Sequence, residues 1–111
     1  MKQFKLTEAT EAVKFQIDSD EFEAVPANRL AAGSLAKYFE QVNDGKLFEA
    51  HMSFFETVLT PDSYKLFDQR MHSKDQPITL KVMADVSTWL LGDVYMGGKA
   101  SGSDTSSGTG Q

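Results

Sequence analysis

The chain has 111 residues, 41% of them apolar, with 11 basic and 16 acidic side chains, a formal charge of −5 and no cysteine. That is material for one modest domain without disulfide staples or thiolate metal sites. The acidic balance, with a pI near 4.9, argues against a surface built to neutralise phosphate. No apolar run approaches the ~20 residues of a membrane span, and Met1 to Ala12 lacks the apolar centre of a signal peptide. Neither nucleic acid nor a membrane is therefore an expected partner.

Residues 1–12 offer Phe4 and Leu6 to an edge strand and are otherwise left unassigned. From Val13 the pattern alternates, with Val13, Phe15 and Ile17 on one side and Lys14, Gln16 and Asp18 on the other, which predicts a half-buried strand. Asp18-Ser19-Asp20 supplies turn-forming side chains, and a second strand over Glu21 to Val25 puts Phe22 and Ala24 on one face. This hairpin stops before Pro26 and needs cover, because two strands alone are marginal in water. Its outer face carries Asp18, Asp20, Glu21 and Glu23 against a single Lys14.

After Pro26 the period becomes helical. Leu30, Leu35, Tyr38, Phe39 and Val42 share a face of a first helix that starts at Asn28 or at Gly33-Ser34 and stops at Asn43-Asp44-Gly45. A second helix is predicted over Lys46 to Leu59 with two apolar stripes, Phe48, Met52, Phe55 and Leu59 beside Leu47, His51, Phe54 and Val58. Thr60-Pro61-Asp62 combines a capping side chain, a proline at the first helical position and an acid at the positive end of the dipole. It opens a third helix with Tyr64, Phe67 and Met71 on one face. Thr79 caps a fourth helix that runs to about Tyr95, with Leu80, Met83, Ser87, Leu90, Leu91 and Val94 on one side and Val82, Val86 and Trp89 on the flank. The expected fold is α+β, mostly helical, with one N-terminal hairpin packed on about four helices over residues 13–96. Gly97 to Gln111 holds five of the eight glycines, four serines and two threonines, and predicts a flexible tail.

Catalytic chemistry finds no convincing carrier. His51 lies inside an apolar stripe without a second histidine at metal-ligand spacing, and His72 sits at a helix C-terminus, where the dipole alone explains an imidazole. Gly92 to Ser101 superficially matches a phosphate-binding loop, but Lys99 falls one place late and the segment follows a helix rather than a strand. Asp18-Ser19-Asp20-Glu21 lacks the glycine and distant glutamate of a calcium loop and reads as a solvated turn. No Gly-x-Ser-x-Gly elbow and no cysteine nucleophile is present, and no cofactor is implied.

What remains is a surplus of large apolar side chains: eight Phe, three Tyr, one Trp and five Met in a small domain. The double stripes on the second and fourth helices are either covered on both sides or partly open as a docking surface. The candidates for partner contact are Phe48, Met52, Phe54, Phe55, Phe67, Met83, Trp89 and Leu90, with methionine suited to such a surface by its adaptable thioether.

Three segments, Phe15 to Pro26 with its Asp18-Ser19-Asp20 turn, Val58 to Arg70 with Leu59-Thr60-Pro61-Asp62-Ser63-Tyr64, and Pro77 to Leu91 with Ile78-Thr79 at its start and Trp89-Leu90-Leu91 at its end, occur in an order and spacing that resembles the tail assembly chaperones of long-tailed, siphovirus-type bacteriophages. The likeness covers about residues 13–96. That family's hairpin often turns on Asp-Gly, whereas this chain has Asp18-Ser19, which leaves a tight primed turn and a looser loop both open.

The resemblance implies a non-catalytic protein that binds the tape measure protein and keeps it soluble while the tail tube is built. It would work in the host cytoplasm and be absent from the mature virion. Further partners implied are the major tail tube protein, a frameshifted longer form of the chain and other copies of itself. Gly97-Gly98-Lys99 can be encoded as GGG-GGA-AAA, which contains a slip site for a programmed frameshift. Two other classes stay open: a structural tail or connector subunit of the virion, and a small acidic inhibitor of a host enzyme.

Overall fold

The computed structural model describes residues 1–5 and 10–97. The tail expected from Gly97 onward therefore lies, but for its first residue, outside the described residues, as does Leu6 of the N-terminal segment. Residues 1–5 and 10–12 carry no regular structure.

Strands β1 (Val13–Ile17) and β2 (Asp20–Ala24) form an antiparallel hairpin in which Val13 faces Ala24, Phe15 faces Phe22 and Ile17 faces Asp20. The turn is the tight, two-residue alternative, with Asp18 at φ 57°. Aspartate is one of the few side chains that tolerates this left-handed conformation without glycine's freedom. The alternation predicted for β1 holds, and β2 buries Phe22 and Ala24 as its pattern requires.

The hairpin's cover comes partly from a place where the sequence predicts only a helix end. The second helix, α2 (Leu47–Val58), stops there, and the extended residues that follow run antiparallel to β2. Val25 N–H donates to Val58 O at 2.9 Å, Thr60 N–H donates to Glu23 O at 3.0 Å, and Leu59 faces Ala24. Ser63, on the next helix, accepts the Glu23 N–H at 2.8 Å.

Four helices follow the hairpin: α1 (Ala36–Asn43), α2 (Leu47–Val58), α3 (Pro61–Met71) and α4 (Leu80–Trp89). The first begins late. Two short 3-10 turns, Ala27–Arg29 and Ala32–Leu35, precede it, so the Gly33-Ser34 start is close to correct. Asn28 caps no helix; its side-chain oxygen accepts from the Thr10 backbone N–H at 3.3 Å. Helix α1 ends on Gly45 at φ +78°, with Lys46 N–H donating to Gln41 O and Gly45 N–H to Val42 O, the paired bonds of a Schellman stop. Pro61 takes the first position of α3, but the Thr60 side chain makes no capping bond. Thr79 does cap α4, accepting from Val82 N–H at 3.2 Å.

The fourth helix departs from its predicted course after Trp89. Leu90–Tyr95 forms a wider π-helical turn closed by Met96 N–H to Leu91 O at 2.8 Å. In this register Leu90 is buried and the Tyr95 hydroxyl donates to Val25 O at 2.8 Å, tying the end of the helical half back to the hairpin.

The core is a series of aromatic rings. Phe15 stacks on Phe22 at 5.5 Å between centroids, Phe22 meets Phe67 edge-on at 5.8 Å, and Phe67 stacks on Phe55 at 4.4 Å. Phe55 touches Phe54 at 5.3 Å, and Phe54 touches Tyr38 at 5.4 Å. The four central phenylalanines, Phe22, Phe54, Phe55 and Phe67, are fully covered. Each such side chain contributes about 1.5–3 kcal/mol by burial, and ring pairs add about 0.5–1.5 kcal/mol.

Candidate functional site

The acidic turn is exposed to solvent, as expected, but it is also anchored to the helical half. Arg70, buried on α3, spans it, with one guanidinium nitrogen donating to Asp18 Oδ2 at 2.5 Å and another to Asp20 Oδ2 at 2.9 Å and Ile17 O at 3.2 Å, while Nε donates to Gln76 O at 2.8 Å. The bond to Asp18 is the main reason its proton is held more tightly than in a free arginine, against the opposing effect of burial. The two acids clamp the hairpin to the bundle, which Arg70, standing in a polar stretch of the sequence, gives no periodic signal to anticipate.

His51 lies 3.1 Å from the Ser87 hydroxyl across the α2–α4 contact, and burial lowers its pKa. Ser87 also donates to Ala84 O and is only 3% exposed, so this pair joins two helices and offers no reachable nucleophile. His72 stands at the end of α3, where Nδ1–H donates to Asp68 O at 2.9 Å, as expected for an imidazole at a helix C-terminus. Burial pushes the Tyr95 phenol up to about 12, which keeps it a donor to Val25. Gly92 to Tyr95 belong to the π-helical turn, and residues 98–101 of the loop-like motif lie outside the described residues. Among the described residues no group of three or more metal-ligating side chains comes together, and no helix is long and apolar enough to cross a membrane.

The eight residues predicted to contact a partner divide in two. Phe54, Phe55, Phe67, Met83 and Leu90 are sealed within the core and form no surface in this conformation. Their stripes point inward because α2 packs on α1, α3 and α4 together. Met52 is partly buried against that core, whereas Phe48 is 51% and Trp89 38% exposed. The open apolar set also includes Phe39, Val42, Leu47 and Leu80, which lie on the predicted stripes, and Met96, which does not; none of the five is among the eight candidates. Leu47 and Leu80 begin α2 and α4, and Met96 follows the π-helical turn.

Two apolar hollows lie at opposite ends of the ring series. At one end, Trp89 meets the edge of Phe15 at 5.9 Å, and the two rings with Val86, Gln16 and Asp85 line a hollow of about 270 Å³. At the other, Phe39 packs edge-on against Tyr38 at 5.1 Å and borders a hollow of about 310 Å³ floored by Leu30 and Leu35. No protein-family model matches the chain, and no curated protein and no solved structure is significantly similar to it. The site is therefore described by its own chemistry: apolar hollows bordered by few polar groups.

Proposed function

We propose that this chain is a non-catalytic tail assembly chaperone of the long-tailed phage type, which holds the tape measure protein soluble by covering apolar faces of its helices at the surface around Trp89. The observation that carries this reading is the exposed indole of Trp89, set beside Phe15 and Val86 with a hollow of about 270 Å³ between them. Tryptophan is the side chain most often found to dominate a docking surface, because one rigid ring removes much apolar area from water at low entropic cost.

An apolar cavity of ~150 Å³ suffices for a benzene ring, so this hollow receives one or two client side chains and no more. Affinity per copy is then modest, and tight holding comes from several copies along one long client. Asp85 and Gln16 at the rim give the bound helix a polar border. Phe48, exposed on the first turn of α2, adds a second apolar contact of the same kind.

The test is co-expression of the tape measure protein with the full chain, with Trp89→Ala, or with neither. The chaperone reading expects soluble client only with the unaltered chain, and Trp89→Ala to lose most of that effect while keeping its helical circular dichroism. Equal client solubility in all three cultures would overturn it. The structural-subunit reading differs at one point, since mass spectrometry of purified particles would then find the chain retained in them.

A further inference from the structure

The second hollow and the N-terminal residues supply what the client reading does not use. Met1 and Phe4 stand clear of the body, Phe4 at 89% exposure, and the contact made by the Phe4 ring is with Lys2, whose Nζ lies 5.6 Å from its centroid. Residues 1–5 thus form an arm that presents a bare phenylalanine and methionine, side chains suited to docking. The arm is rooted by Thr10, whose N–H and hydroxyl both reach Asn28 Oδ1, at 3.3 and 3.4 Å. Asn28 belongs to the 3-10 turn whose Ala27 lines the 310 Å³ hollow with Leu30, Ala32, Leu35, Phe39 and Met96.

We propose that this hollow receives the N-terminal arm, Met1–Lys5, of a second copy of the chain. Size supports the pairing: at roughly twice the ~150 Å³ that accepts a benzene, the hollow accommodates the Phe4 ring and part of Met1. Its alanine walls at Ala27 and Ala32 let a backbone approach closely. The lining carries no charged side chain, so Lys2 and Lys5, which flank the Phe4 ring in sequence, stay in water at the rim while the ring enters. From Thr10 to Phe4 the backbone reaches at most about 20 Å, enough to leave its own surface for a neighbour's. Each copy both offers an arm and presents a hollow, so the contact closes as a reciprocal dimer or runs on as a chain of copies. The inference is independent of the client reading, because it uses the opposite end of the ring series.

The experiment is sedimentation velocity on the full chain, on Phe4→Asp and on Ala32→Glu, each across a range of concentrations. Ala32 is exposed, so both variants leave the core intact. The expected result is concentration-dependent association of the unaltered chain, monomers for each variant alone, and recovered association when the two variants are mixed, because one supplies the arm and the other the hollow. A chain that stays monomeric throughout, including one that tucks the arm into its own hollow, would overturn the proposal. So would association that neither variant weakens. Trp89→Ala should associate normally, which separates failure here from failure of the chaperone reading.

Discussion

At the scale of single residues, the hairpin hangs on Arg70. Its side chain is only 7% exposed and bonds to two carboxylates and two carbonyls, so removing it strands groups on both the turn and the loop after α3. Arg70→Ala should cost about 3 kcal/mol, the lower end for breaking a buried ion pair, whereas Asp18→Asn should cost at most about 1 kcal/mol, because that carboxylate is mostly solvated and can return to water. Urea midpoints of the two variants check the asymmetry.

His51 makes a prediction of opposite character. Burial holds its pKa below the usual 6.5, so as pH falls through about 6.5 the unfolded chain takes up a proton that the native state declines. Stability present above that pH is then lost until pH passes below the folded pKa, where the loss is complete. Between about pH 7.5 and about pH 5.5, the urea midpoint of the unaltered chain should drop further than that of His51→Gln. Equal drops would mean the imidazole titrates normally.

At the scale of elements, most of the architecture was legible. The alternation of Val13, Phe15 and Ile17, the Pro61 helix start, the Thr79 cap and the Asn43-Asp44-Gly45 stop are local signals with local causes, and each appears in the structure. Gly45 offers a clean measurement: a Cβ there meets nothing within 4 Å, so any penalty comes from its φ of +78° alone. Gly45→Ala should cost about 1 kcal/mol in thermal unfolding. What was not legible depends on partners distant in sequence. The Val58–Thr60 segment pairs with β2 only because α3 folds back beneath the hairpin, and Arg70 finds Asp18 across more than fifty positions. The wide turn at Leu90–Tyr95 likewise accompanies a bond from Tyr95 to Val25, which no periodicity within α4 encodes.

At the scale of the whole molecule, the breadth of the apolar stripes is legible in the sequence, but which of their residues are covered is not. A stripe states that a face is greasy and not which neighbour covers it. The structure seals Phe54, Phe55, Phe67, Met83 and Leu90 inside and leaves the two ends of the ring series, Trp89 and Phe39, open to water. Covering those ends is what the proposed client and the proposed second copy have in common. Trp89 is the chain's single tryptophan and therefore a built-in reporter of its own surface. Titrating the chain with amphipathic helical peptides of the tape measure protein while following tryptophan emission is the most direct measurement. A saturable shift to the blue, absent when the peptide's apolar face is replaced by polar residues, is the predicted result; an emission spectrum unchanged at saturating peptide would contradict it.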